Sequence, residues 1–182
     1  MNQYVGIGMA AHAKRKAENL DPRTIYGVEW DKSENPKLRR VLGSVGRIAR
    51  VGIDSQLVQN DFDDCGLFRD WTEVTDDLGN VFVRIPKFYI RKTDGAGYKT
   101  WLVSRWQHSG FYLPWCFWDF TNSKELPYVD VGKHKASLGA GNKLESKPNV
   151  YPLINKNIVE FRGYAQANGA GYQQYDIHVH DA

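Results

Sequence analysis

The stretch "YVGIGMAA", Tyr4 to Ala11, contains a G-x-G-x-x-A pattern, with Glu29 and Asp31 following at about the twenty-residue distance of a dinucleotide fingerprint. In that chemistry the glycines let the backbone approach a pyrophosphate, and the acid binds a ribose hydroxyl. It requires a strand before the glycines and an amphipathic helix after them. Only five residues precede Gly6, and "HAKRKAEN" offers no apolar helical face. A nucleotide site is therefore not the favoured reading. The histidines are His12, His108, His134, His178 and His180. In "DIHVH", His178 and His180 fall on one side of a strand as two candidate metal ligands, but only Asp176 and Asp181 stand nearby, so solvated polar positions are favoured over a metal centre. "DFDDC" and "TDD" lack calcium-loop spacing and belong at turns. No nucleophile-elbow sequence is present, while a Ser/His/Asp or Cys/His site assembled from distant positions stays open. Cys65 and Cys116 lack CxxC spacing and sit in apolar surroundings, as buried thiols do in a reducing compartment. No cofactor, metal or catalytic residue is assigned.

The elements that would position such groups are mostly strands. "RTIYGVEW" alternates Tyr26, Val28 and Trp30 against Ile25, Gly27 and Glu29. "TEVT" and "NVFVRI" flank the turn residues "DDLG", predicting a hairpin over residues 72–85. "PKFYIRK" and "YKTWLVSRW" flank "TDGAG" and predict a second. Val129 and Val131 suggest a further strand, and frequent prolines leave little room for long helices. One helix is expected in "NKNIVEFRGYAQANG". Asn157 is its N-cap, Glu160 completes a capping box, Ile158, Phe161 and Ala165 form one face, and Gly169 is the C-cap. "ASLGAGNKLESKPN" reads as a loop, and "YDIHVHDA" as an alternating pattern that stops early.

With 182 residues, 42% hydrophobic and 13% aromatic, the chain can build a core. A net charge of +3 is too small to imply nucleic acid, although the sign is uneven. Residues 1–60 carry ten Lys/Arg against six Asp/Glu, and "NDFDDCGLFRDWTEVTDD" carries seven acids and one Arg. No apolar run reaches membrane-span length, and the amino end lacks a signal-peptide core, so membrane insertion is not expected.

"GFYLPWCFWDF", Gly110 to Phe120, concentrates six aromatic residues in eleven positions. Their side chains represent on the order of 1,000 Å², or roughly 25 kcal/mol of gross transfer energy as an upper bound. Exposed together, they would exceed what a soluble monomer usually tolerates. The expectation is an aromatic core or subunit contact built from Tyr112, Trp115, Phe117 and Trp118. Trp115, Phe117 and Trp118 should be mostly buried, with Tyr112 and Trp115 the candidates for a subunit contact.

Two segments resemble known families. "YVGIGMAAHAKRKAE" resembles a short "YVGV-x-x-x-A-R-K-x-K" module near the amino ends of phage and prophage virion proteins, with His12 and Ala13 interrupting the basic pattern. From "TIYGVEWDKSENPKLRRV" through "FDDCGLFRDW", "DDLGNVFVRIPKFYIRK", "SGFYLPWCF", "YVDVGKHKAS" and "FRGYAQANGAGYQQYDIH", the order of motifs is similar to phage tail and receptor-binding proteins with a C-type-lectin-like domain of the formylglycine-generating-enzyme kind. Variable proteins of diversity-generating retroelements share that fold. The resemblance implies an α+β, irregular, β-hairpin-rich C-type-lectin-like domain with few short helices over residues 23–182. A β-hairpin attachment arm, residues 1–22, would precede it, with Tyr4, Val5, Ile7 and Met9 covered by a partner. Relatives continue past the "YDIH" position into an apolar strand, so the domain is expected to be incomplete at its carboxyl end. The cysteine pair of the oxidase relatives has no counterpart at Cys65 or Cys116.

The resemblance thus implies a non-enzymatic bacteriophage virion structural protein, a tail-fibre or baseplate component assembled in the host cytoplasm and displaying its fold for host-surface adhesion. Its expected partners are other virion proteins, further copies of itself and a host cell-surface receptor. A decoration or connector protein without a receptor is the alternative, and an oxidoreductase is less favoured.

Overall fold

The structure, a computed structural model, describes residues 21–33, 35–50, 52 and 58–174. Residues 1–20 of the expected attachment arm and "YDIHVHDA" lie outside the described residues. In chain order the strands are β1 (Tyr26–Asp31), β2 (Leu38–Leu42), β3 (Thr72–Thr75), β4 (Val81–Pro86), β5 (Tyr89–Asp94), β6 (Tyr98–Ser104), β7 (Trp118–Asp119), β8 (Lys124–Glu125), β9 (Tyr128–Gly132), β10 (Ser137–Leu138) and β11 (Leu144–Glu145). One α-helix, α1 (Ile158–Gln166), follows them. The described residues are thus β-rich, in small antiparallel sheets with one helix. The chain divides into two compact units, Met1–Asp70 with Phe88–Pro114, and Trp71–Lys87 with Trp115–Ala182.

The first unit is built on a sheet of order β2-β1-β6-β5. Alternation on β1 sets Tyr26 inward, where it packs with Cys65 and Leu67 and is flanked by Phe62, Phe88 and Val103. Phe62 and Phe68 meet edge to face at 6.0 Å, the arrangement favoured by the ring quadrupole. Gly27 is required where β1 passes β6. A Cβ there would stand 2.4 Å from Leu102 Cδ2 and 2.7 Å from the Trp101 carbonyl oxygen. Its N–H donates to the buried Ser44 Oγ at 2.9 Å, so the absent side chain lets the sheet and the turn after β2 close together. The hairpin expected from "TDGAG" forms as β5–β6, Tyr89 pairing with Ser104 and Asp94 with Lys99.

The second unit holds the sheet β3-β4-β9 and two short ladders, β7-β8 and β10-β11. The hairpin expected over residues 72–85 forms as β3–β4, Thr72 opposite Arg84 and Thr75 opposite Val81. Asp76 organises the turn, its Oδ1 accepting from the N–H groups of Leu78 (2.9 Å) and Asn80 (2.8 Å), while Gly79 takes a positive φ of 78°. The side-chain Oδ1 of the buried Asn80 accepts from Ser146 N at 3.0 Å. Residue 146 is thereby held to a turn 66 residues earlier.

α1 starts as its sequence predicts. Asn157 Oδ1 accepts from Glu160 N, and Glu160 Oε2 accepts from Asn157 N, each at 3.0 Å. Three local expectations need correction. The cap residue at the helix end is Ala167, whose N–H reaches Gly163 O at 3.0 Å, and Gly169 (φ 120°) lies beyond it. Ile158 is exposed, so only Ala165 of the expected face is fully buried. The "ASLGAGNKLESKPN" loop contains the β10–β11 ladder, Ser137 opposite Glu145 and Leu138 opposite Leu144, because strands of two residues are too short to show a period in sequence.

Candidate binding cleft

A cleft of about 580 Å³ lies over the β3-β4-β9 sheet, closed on one side by residues 170–174. The register sets Arg84 opposite Asp130, and the pair closes as a fork, Nε to Oδ1 and Nη2 to Oδ2 both at 2.8 Å. The Arg84 guanidinium also stacks on the Tyr128 ring, 3.7 Å from its centroid. The hydrogen bond to Asp130 raises the guanidinium further above its ordinary value, so Arg84 is a fixed cation and a planar donor, not a proton carrier.

Across the cleft, Tyr172 donates to Asp76 Oδ2 at 2.6 Å, and its ring lies against Phe82, centroids 6.3 Å apart. Asp76 therefore accepts from four donors, Leu78 N, Asn80 N, Asn80 Nδ2 and Tyr172 Oη. Burial pushes its carboxyl up, but the bonds from Tyr172, Asn80 and Leu78 outweigh this and hold it below the usual carboxylate range. The same bond holds the Tyr172 phenol protonated up to about 12. Asp76 stays ionised and Tyr172 stays neutral at physiological pH, a combination that fixes shape without supplying a general acid or base. Gln174 lines the same cleft, and its Oε1 is buried without a donor among the described residues. A ligand N–H or O–H would satisfy it.

The aromatic stretch is divided by its local geometry. Phe117 is fully buried (0% exposed), whereas Trp115 is 58% and Phe120 60% exposed, and Trp118 and Tyr112 are also open to solvent. The expectation that Trp115 and Trp118 are mostly buried is thus corrected. Residues 115–117 form a 3₁₀ turn that leads directly into β7. In such a turn positions i and i+3 eclipse, so Trp115 and Trp118 share the outer side while Phe117 points inward. Outside, Trp115 stacks on Phe120, centroids 5.3 Å apart and planes 10° from parallel. Tyr112 pairs through its backbone with Ile90, N–H to C=O in both directions at 2.9 Å.

Tyr4, Val5, Ile7, Met9, His178 and His180 lie outside the described residues. Among those described, no group of three or more His, Cys, Asp or Glu side chains is placed to hold a metal ion, and no helix is long and apolar enough to cross a membrane. Cys65 is buried, and burial pushes its thiol up, which disfavours the reactive thiolate. Cys116 is partly exposed and lines the cleft.

A serine–histidine contact absent from the sequence reading occurs at Ser104 and His108. His108 Nε2 lies 3.2 Å from Ser104 Oγ and 2.9 Å from the Arg23 carbonyl oxygen. Donation to that carbonyl occupies the nitrogen a general base would need. Ser104 is itself fully buried and accepts from Trp106 N at 3.2 Å. The contact ties the end of β6 to residues 22–23 and does not form a nucleophile site. The only sequence signal for it is the four-residue spacing.

Neither family models, curated proteins nor solved structures contain a match to this chain.

Proposed function

We propose that this protein is a bacteriophage virion structural component, carried in a tail fibre or baseplate, whose C-type-lectin-like domain presents a binding face for adhesion to a host surface. The observation that carries this reading is the exposed stack of Trp115 on Phe120. Stacked aromatic side chains held in water are a feature of interaction surfaces, where burial against a partner recovers their transfer energy. The small antiparallel sheets with one helix agree with a display scaffold. The cleft supports binding over turnover, because Arg84, Asp130 and Asp76 are engaged with fixed partners. The residue order quoted above supplies the lectin-like and virion assignments, with further copies and other virion proteins as partners.

The test is whole-cell and glycan-array binding by the intact protein and by Trp115→Ala/Phe120→Ala. Binding by the intact protein that falls in the folded double variant is expected. Incorporation into particles without any host-surface binding would replace adhesion by the connector reading.

A further inference from the structure

β9 is an outer strand of its sheet, and its ladder phase shows which backbone groups it presents. Lys87 N donates to Pro127 O at 2.9 Å and Lys133 N to Val81 O at 3.0 Å, bracketing the register Pro86↔Tyr128 to Phe82↔Gly132. Bonded pairs alternate in an antiparallel ladder. Val129 and Val131 therefore bond to β4, and the N–H and C=O groups of Tyr128, Asp130 and Gly132 point away from the sheet. Among the described residues no backbone group bonds to them there.

The cleft over this sheet extends along that edge: every residue from Leu126 to Gly132 lines it, and residues 170–174 form another wall. The two faces of β9 differ. Val129 and Val131 share one face with their register partners Ile85 and Val83, and Tyr128 and Asp130 share the other with Arg84 and Phe82. That second face carries an excess of acid. Asp130 is matched by Arg84, whereas Asp76 has amide and hydroxyl donors as its partners. The bond to Asp76 raises the Tyr172 phenol, and after burial the charges of Asp76, Asp77 and Asp130 raise it further, as a negative field does. The lining contains no lysine, and the adjacent Lys133 is paired with Glu73.

We propose that the β9 edge docks an extended segment of a partner protein in which lysine or arginine alternates with aliphatic residues. Paired with Tyr128, Asp130 and Gly132 as a further strand, the segment would send alternate side chains to opposite faces. Its aliphatic side chains would continue the valine face, and its cations would stand on the Asp130 face. Gln174, whose Oε1 lacks a donor among the described residues, would accept from the segment's outer N–H groups. A second copy of this chain fits less well, because β9 paired antiparallel with itself about Asp130 would set Asp130 opposite Asp130, a like-charge contact that opposes pairing. Neither Trp115 nor Phe120 lines this cleft, so the inference stands apart from the adhesion reading.

The test uses the full chain and a labelled alternating Lys-Val peptide. An alternating Glu-Val peptide, and Lys-Val peptides with backbone N-methylation on either the lysines or the valines, are the comparisons. Binding of the Lys-Val peptide is expected, with loss of binding in the Glu-Val peptide and in at least one N-methylated phase. Asp130→Asn should weaken binding about three- to tenfold. Binding should also weaken as salt rises from about 0.1 to about 1 M, where the screening length falls from about 10 to about 3 Å. Absence of Lys-Val binding, equal binding of the Glu-Val peptide, or indifference to both N-methylated phases overturns the proposal, and these arms need only the wild-type chain. Self-association of the wild type that the Lys-Val peptide displaces would assign the edge to a second copy and overturn it as well.

Discussion

The hydroxyl of Tyr172 meets Asp76 Oδ2 at 2.6 Å across 96 positions of sequence. One bond thus fastens the segment after α1 to the turn between β3 and β4, and it shapes the cleft between them. Because its acceptor is a carboxylate already fixed by Leu78 and Asn80, the phenol meets a preorganised anion and the bond is charge-assisted.

Tyr172→Phe should cost about 1.5–3 kcal/mol, the range for a hydrogen bond to a charged group. The pH dependence has a defined sign. Tyr172 is raised from 10.0 to about 12 in the fold, so its contribution is complete below pH 10 and is lost as pH rises to about 12. Asp76 is depressed, so its contribution is present above the ordinary carboxylate value and is lost as pH falls through the lower folded value. Urea unfolding across pH should show both losses in the wild type. The alkaline loss should shrink in Tyr172→Phe, leaving Tyr26, which burial also raises to about 12. Tyrosinate titration in which every tyrosine ionises at the unperturbed value would contradict this.

Phe117 should dominate the energetics of the aromatic stretch. Phe117→Ala is expected to cost about 3–5 kcal/mol, as large buried aromatics do. Trp115→Ala removes the outer stack on Phe120 and should cost about 0.5–1.5 kcal/mol. Denaturant midpoints of the two variants decide the order, and equal shifts would mean that the 3₁₀ turn does not separate inside from outside.

Two glycines should respond in opposite directions to alanine. Gly27→Ala places a methyl against the Trp101 carbonyl oxygen and Leu102 and should destabilise by about 1–3 kcal/mol. Gly163 lies within α1 with open space where a Cβ would stand. Gly163→Ala should stabilise by about 0.5–1 kcal/mol through helix propensity. Thermal melts of both variants against wild type would check the pair.

The reciprocal cap of α1 makes Asn157→Ala a clean probe, expected to cost about 1 kcal/mol. Asn157→Ser, which can still accept from Glu160 N, should restore most of it. Failure of the serine variant to recover would shift the role of Asn157 from capping to some other contact.

The features legible in sequence were those made by neighbours along the chain. "TDDLGN" contains both the acceptor and the donors of its turn, "NIVE" contains both halves of the capping box, and the β5–β6 strands stand either side of their own loop. Short-range bonds of this kind depend only on spacing. The tertiary structure decided what spacing cannot express. The Arg84–Asp130 fork spans 46 positions and exists because β9 adds beside β4 in one register, and a slip of one residue would turn the two side chains to opposite faces. The aromatic content of residues 110–120 fixed how much apolar surface had to be placed. Its division between a buried Phe117 and an exposed Trp115 followed from a single 3₁₀ turn, whose threefold repeat sends neighbouring side chains in different directions.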